Sequence, residues 1–359
     1  MTFLIAAAGT GGHVYPGLSV GEALVDLGVD QSEILYVGGD RLEARVYPEA
    51  GYRFLRLELA GLKRSMTFDN VRIPKVVLVA RRRLIEEMGS QGIRVALGMG
   101  GYGNVPVAMA ARSRHLPFFN AEQNADAGLA NRITARWARA SFVSFPNTEG
   151  LPSGVWVGNP VRRPFWDFDR QRSRAEAAEH FAVATDVPVI GVFGGSLGSG
   201  RINDAVASML GSWEGPSIEV VHLTGESHQS AVSRLTAADG VSWRRQGYEE
   251  RMELFFAISD LVIARAGGAV AELTATATPS ILVPGQFGSG GHQDGNARFL
   301  GEAGAAIVVE EEQLATLPAI VADLIGDPKR LGAMATAASA IAKPDAARTI
   351  ARTMIEAAR

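Results

Sequence analysis

The stretch AAAGTGGHVYPG, residues 6–17, sets an imidazole, His13, just after three glycines and at the head of a helical pattern. A strand that enters a glycine turn and then a helix presents free backbone N–H groups and the positive end of a helix dipole, which together attract an anion. Two further segments share this form, Gly194 to Gly200 in VFGGSLGSG and Ala266 to Ala269 in RAGGA. One such turn is weak evidence, because many glycine turns only let a helix pack close to a strand. Three at the carboxyl ends of predicted strands point to a phosphorylated ligand held by an α/β protein. The question that remains is what an imidazole does beside bare amides.

Rival chemistries fit less well. A dinucleotide-binding fingerprint needs G-x-G-x-x-G after the first strand and an acid closing the second. Gly9 and Gly11 fit, and Asp40 in YVGGD could pass for the acid, but Val14 stands at the third glycine position. No G-x-x-x-x-G-K-[ST] occurs, which excludes a P-loop. The six histidines, His13, His115, His180, His222, His228 and His292, show no paired-ligand spacing. DFD at 167–169 matches D-x-D literally but lies away from the glycine turns. No bound metal or other cofactor is therefore expected.

The elements that must carry these residues alternate in type. Short β-branched runs (FLIAAA, EILYVGG, FLRLEL, VALGMG, PFFNAE and SFVSF, then VPVIGVFGG, IEVVHLTG, LVIARAG, SILVPG and AAIVVEE) are separated by helix-length segments. That is the signature of parallel sheets with crossover helices. Each half opens on a strand entering a glycine-rich turn, so the chain reads as two Rossmann-like, doubly wound domains facing each other across a cleft. Prolines and aromatics interrupt the alternation in VWVGNPVRRPFWDFDRQR, residues 155–172. The expected domains are 1–160 and 161–342, with 343–359 a C-terminal helix that could cross back to the first domain.

Bulk properties agree with this reading. The 359 residues suit two domains at about 100–200 residues each. Hydrophobic residues make up 47% and charged residues 20%, which excludes a disordered chain. A formal net charge of −3 and a pI near 6.1 supply no basic field for nucleic acid. The absence of cysteine removes disulfides and thiolate chemistry. The opening residues lack a basic n-region, and no apolar run approaches the roughly 18 residues that span a bilayer. The expected location is the cytoplasm, free or peripheral to a membrane.

Seven segments, GTGGHVYPG, GMGGYGNVP, AEQNADAGLANR, GNPVR, GGSLGSGRIN, RAGGAVAELTA and HQDGNARFL, occur in that order. On them the chain resembles the MurG family along almost its whole length. The resemblance implies a GT-B fold and an inverting transfer of N-acetylglucosamine from UDP-GlcNAc to the muramyl 4-hydroxyl of lipid I. The product would be lipid II for peptidoglycan. It places the donor in the carboxyl-terminal domain and the acceptor in the amino-terminal one. Glu272 matches the glutamate that grips the ribose hydroxyls, a role suited to a carboxylate that accepts from two donors. Ser196 offers a hydroxyl to a diphosphate oxygen, although a serine there could equally cap a helix. Arg162 matches an arginine lining the nucleotide site, whereas Arg163 reads as a surface charge. His292 and Gln293 match the pair that binds hydroxyls of the transferred sugar. Thr10, Gly11, Gly12, Gly267, Gly268 and Ala269 belong to the turns that meet the donor. Gly101, Tyr102, Glu122 and Asn124 match positions facing the acceptor. His13 then serves as the base for the attacking hydroxyl or as a ligand of the acceptor, and the residues leave both open.

Some positions depart from the family pattern. Ala121 stands where histidine is usual before EQN, Leu197 where glutamine is usual after GGS, and RAGGAVAE is one residue shorter than the common form. These changes leave room for a MurG-like transferase with another lipid or natural-product acceptor, and behind it for a GT-B nucleotide-sugar epimerase. The segment IPKVVLVARRRLIEEM, residues 73–88, joins an apolar run to three arginines. It reads either as a core helix with a basic outer face or as a contact for an anionic membrane surface, where a lipid-linked acceptor resides.

Overall fold

The computed structural model describes residues 2–58, 73–285 and 292–359. The contacts divide the chain into two units, Met1–Arg163 with Pro344–Arg359, and Pro164–Lys343.

In the first unit the strands are β1 (Thr2–Ala6), β2 (Ile34–Gly38), β3 (Arg53–Arg56), β4 (Ile93–Gly98), β5 (Phe118–Glu122), β6 (Ala140–Val143) and β7 (Val155–Trp156). They form one sheet in the order β3-β2-β1-β4-β5-β6-β7, and every pairing is parallel. The intervening helices are α1 (Gly11–Asp26), α2 (Glu43–Glu49), α3 (Ile73–Ser90), α4 (Asn104–Ser113) and α5 (Leu129–Thr134). Strands covered on both faces must be apolar almost throughout, and β1, β2 and β4 obey this with Phe3, Leu4, Ile5, Leu35, Val37, Val95 and Leu97 buried. In α3 the residues Ala80, Leu84 and Met88, four apart, are buried against the sheet, while Leu78 and Val79 are 48% and 59% exposed.

The second unit repeats the plan. Strands β8 (Val189–Phe193), β9 (Ile218–Leu223), β10 (Val241–Gln246), β11 (Leu261–Ala264), β12 (Ser280–Leu282) and β13 (Ala306–Val308) form a parallel sheet in the order β10-β9-β8-β11-β12-β13. Its helices are α6 (Arg170–Phe181), α7 (Gly200–Gly211), α8 (Glu226–Val232), α9 (Met252–Ile258), α10 (Val270–Ala275), α11 (His292–Glu302), α12 (Leu317–Ile325) and α13 (Pro328–Ile341). The last helix, α14 (Ala346–Ala358), belongs to the first unit, where it packs on α1 and β4 and buries Ala347, Ile350, Ala351 and Met354. Among the described residues no helix is long and apolar enough to cross a membrane.

Two strands lack a clear trace in the sequence. β10 reads VSWRRQ and lies at a sheet edge, where polar and charged side chains are tolerated on the open side. β7 is a two-residue edge strand. The DFD segment has a local explanation, because the Asp169 carboxylate accepts from the Arg172 backbone N–H at 3.1 Å and caps α6. The guanidinium of Arg170 then donates to the carbonyls of Phe256, Ser259 and Thr276, fixing α6 against the end of α9 and the loops that lead into β11 and β12.

In both sheets the first strand of the unit is central, and the connections leave it in opposite directions. β1 lies between β2 and β4, and β8 between β9 and β11. The carboxyl ends flanking such a reversal splay the following loops apart, which is where open α/β sheets take ligands. The glycine turns after β1 and β4 in one unit, and after β8 and β11 in the other, fall on these two points.

One core residue couples the second unit to pH. His222 on β9 is fully buried, with Nε2 and Asn203 Oδ1 3.0 Å apart and its ring stacked on Trp243. Burial, with the nearby Arg245 charge second, holds its pKa down at about 3. The unfolded chain binds the proton near pH 6.5, so the neutral ring stabilises the fold above that value, and this is lost as pH falls from about 6.5 toward 3. By pH 5 the loss amounts to about 2 kcal/mol. Urea titrations at pH 7 and pH 5 will show this slope in the native chain and its absence in His222→Gln; equal slopes would refute it.

Candidate active site

In the first unit the chain leaves β1 through Gly9 and enters α1 at Gly11. Thr10 is extended, and its carbonyl accepts the N–H groups of His13 and Val14 at 3.0 and 3.1 Å. Its hydroxyl lies 3.2 Å from His13 Nδ1. Thr10 and Gly12 are exposed, and Gly11 and His13 half-buried. The other edge of the imidazole lies against the turn after β4. Gly100 has φ +89°, and a Cβ there would stand 3.2 Å from His13 Nε2 and Cδ2. A side chain at position 100 would strain the backbone and crowd the ring. Gly101 also takes a positive φ, and a Cβ on it would approach the Ala8 carbonyl to 2.9 Å.

The expected acceptor-facing residues divide into two groups. Glu122 is only 3% exposed. Its Oε1 accepts from the backbone N–H groups of Gln123 and Asn124, both at 3.0 Å, and from Asn124 Nδ2 at 3.2 Å. Its Oε2 accepts from Gly128 N–H at 3.0 Å and Asn131 Nδ2 at 2.8 Å. Glu122 therefore does not face a ligand: a buried carboxylate needs such donors, and this one shapes the loop after β5. Tyr102 is half-buried and its hydroxyl donates inward to Glu43 Oε1 at 3.3 Å. Burial and the Glu43 charge push its pKa up to about 12. Gly101 and the half-buried Asn124 remain at the rim of the unit.

Beneath these loops lies a buried amide network that sequence reasoning passed over. Asn104 Nδ2 donates to Asn120 Oδ1, Asn131 Oδ1 and Thr134 Oγ1 at 3.0, 2.6 and 3.2 Å. It fastens the turn after β4 to β5 and α5. Asn104 and Asn131 stand inside the quoted segments GMGGYGNVP and AEQNADAGLANR, so the available signal was polar residues inside otherwise apolar elements. Arg162 lies in the first unit, half-buried, where its charge and that of Arg163 act on Glu22 of α1. Arg163 also pairs with Asp26 at 3.6 Å.

In the second unit the turn after β8 exposes Gly195, Ser196 and Leu197. The cap of α7 is Ser199, whose Oγ accepts from Ile202 N–H at 3.4 Å. Ser196 is thus not the cap, and it stands exposed at the crest of the turn. Gly267, Gly268 and Ala269 connect β11 to α10, with Glu272 half-buried in its first turn. His292 and Gln293 open α11; Gln293 Oε1 accepts Gly285 N–H at 2.9 Å, and Asn296 Nδ2 donates to the Ala266 carbonyl at 3.0 Å. The glycine-rich residues 286–291 lie outside the described residues. Arg265, the first residue of RAGG, holds these pieces together. Its guanidinium donates to the carbonyls of Val283 and Pro284 at 3.2 and 3.1 Å, to Ser199 Oγ at 2.8 Å, and to Glu311 Oε1. No cluster of three or more histidine or carboxylate groups able to hold a metal ion occurs among the described residues.

Comparisons with known proteins agree with this fold. Residues 3–143 match the glycosyltransferase family 28 N-terminal domain and residues 189–350 the family 28 C-terminal domain. A Salinibacter ruber protein named UDP-N-acetylglucosamine--N-acetylmuramyl-(pentapeptide) pyrophosphoryl-undecaprenol N-acetylglucosamine transferase is 39% identical, over 98% of this chain and 95% of its own length. A protein of the same name from a Nocardioides species is 37% identical, over 99% of this chain and 98% of its own. Among solved structures, Acinetobacter baumannii MurG superposes with a TM-score of 0.81 at 25% identity, covering 99% of this chain and all of that one.

The Arg265 knot predicts a stability effect. Arg265→Met leaves the half-buried Glu311 carboxylate and two buried carbonyls without their donor, at a cost of about 2–4 kcal/mol. Arg265→Met with Glu311→Leu should recover part of that loss. A single substitution costing under about 1 kcal/mol in urea denaturation would show that the knot is not needed.

Proposed function

Since the chain belongs to the MurG family within glycosyltransferase family 28, we propose that it transfers N-acetylglucosamine from UDP-GlcNAc to the muramyl 4-hydroxyl of lipid I, with inversion, to give lipid II. The observation that carries this reading is identity of 37–39% over nearly the full length to proteins named for that reaction. Glycine turns at the reversal points of both sheets support it independently.

In this reading the second unit holds the donor. Ser196 and the amides of its turn, with those of Gly267, Gly268 and Ala269, receive the diphosphate. Glu272 takes the ribose hydroxyls, and His292 and Gln293 the sugar. In the first unit, Thr10, Gly11, Gly12 and Arg162 are the residues that the resemblance assigns to the donor, and Gly101, the Tyr102 ring edge and Asn124 those that it assigns to the acceptor. His13 is the base: with Nδ1–H donating to Thr10 Oγ1, Nε2 keeps the lone pair that takes the acceptor proton. The acceptor oxygen bonds to the anomeric carbon as the bond to the diphosphate oxygen breaks, and UDP leaves with that electron pair. Amides and hydroxyls can stabilise the departing charge, so the reading calls for no bound metal.

The same reading puts the protein on the cytoplasmic face of the membrane. Leu78 and Val79 stand exposed on α3 beside Lys75, Arg82 and Arg83, a surface suited to anionic lipid. Sedimentation with phosphatidylglycerol vesicles should fall in the Leu78→Ser, Val79→Ser variant; unchanged sedimentation would remove this surface from the proposal.

Activity is tested by UDP release from UDP-GlcNAc, with and without a soluble lipid I analogue and with and without EDTA. Release should depend on the acceptor and fall about 10²–10⁴-fold in His13→Ala while UDP still binds. Release without acceptor would mean another reaction of the nucleotide sugar. UDP binding with no acceptor-dependent release would overturn the acceptor. A metal requirement would overturn the metal-free reading.

A further inference from the structure

We propose that Glu43, at the start of α2, is a positioning residue for His13; the inference rests on the reading of His13 given above. Glu43 is fully buried, yet its carboxylate is held by three donors from three separate loops. Oε2 accepts Gly9 N–H at 3.1 Å, after β1. Oε1 accepts Gly39 N–H at 2.9 Å, after β2, and the Tyr102 hydroxyl at 3.3 Å, after β4. These strands are adjacent in the sheet, in the order β2-β1-β4. One charge therefore ties together the three loops at the carboxyl ends around the reversal point.

The path from Glu43 to the imidazole is short. Gly9 is followed by Thr10, whose carbonyl accepts His13 N–H and whose hydroxyl meets Nδ1. Tyr102 lies in the same turn as Gly100, which the Nε2 edge approaches. Both edges of the ring thus rest on loops that Glu43 holds. The pair Gly38–Gly39 makes the slot: a Cβ on Gly38 would come within 2.6 Å of Glu43 Cγ, and one on Gly39 within 2.7 Å of the Tyr102 hydroxyl and 3.2 Å of Glu43 Oε1. An ionised carboxylate only accepts, so it matches three donors. Glutamine turns one oxygen into a donor facing another donor, with almost no change in shape.

The test is a double-mutant cycle on the full chain, assayed by acceptor-dependent UDP release and accompanied by amide hydrogen exchange. Glu43→Gln should lower kcat about 10²-fold in the native background and less than about threefold in His13→Ala, because it acts through that ring. Exchange of the Gly9 and Gly39 amides should rise about tenfold or more, while Phe3–Ala6 of β1 stay protected. Gly39→Ala keeps the charge but displaces the carboxylate, and should reproduce the His13-dependent loss if Glu43→Gln does not fold. Equal losses in both backgrounds, or unchanged exchange at Gly9 and Gly39, would overturn the proposal. If His13→Ala alone retains the native kcat, the role of His13 is refuted separately. Exchange at Gly9 and Gly39 then still decides whether Glu43 holds the loops.

Discussion

A charge taken out of water must be answered by hydrogen bonds, and the loops of both units are organised around that requirement. In the first unit the charge is Glu43, answered by Gly9, Gly39 and Tyr102. In the second it is Arg265, answered by Ser199, Val283, Pro284 and Glu311. The signs are opposite, and so are the partners: the carboxylate collects N–H and O–H donors, the guanidinium collects oxygens. Each gathers loops from neighbouring strand ends, where the sheet itself supplies no further ladder bonds. Glu122 does the same for the loop after β5, with five donors around its two oxygens. A glycine turn is inherently loose, because its residues have the most backbone freedom to lose. Fixing it to a buried charge turns a flexible loop into a surface whose amides are already aimed.

The strands and the glycine turns were legible in the sequence because their physical causes are local. A doubly covered parallel strand must be apolar nearly throughout, and IAA, VALG and VIGVF satisfy that without help from the rest of the chain. Ser199 in place of Ser196 as the cap of α7 was a matter of register that the two serines of GGSLGSG leave open. β10 was illegible because its edge position relaxes the apolar requirement, as VSWRRQ shows. Glu43 and Arg265 were missed for a different reason. RLEARVYPEA reads as an ordinary solvated helix start, and nothing nearby in the chain announces that its glutamate faces loops 34 residues back and 59 ahead. The same blindness placed Glu122 toward a ligand, when its donors are mostly the backbone of its own loop.

The departures from the MurG pattern can now be ranked by where they fall. Ala121 lies on β5, buried at 2% exposure, and its carbonyl accepts from Gln123 Nε2 and Asn131 Nδ2. A histidine at this position would have to fit among β5 and its packed neighbours, so the change there is one of packing. Leu197 is the opposite case. It is 84% exposed at the crest of the turn after β8, beside the exposed Ser196. Glutamine would present an amide donor and acceptor at that point; leucine presents neither, and leaves polar recognition to the Ser196 hydroxyl and the turn's own amides. An exposed apolar side chain at such a turn gains from being covered, since it loses nothing polar when water leaves. Of the two changes, Leu197 is therefore the one that alters an exposed surface, where an apolar side chain stands in place of one that can donate and accept hydrogen bonds.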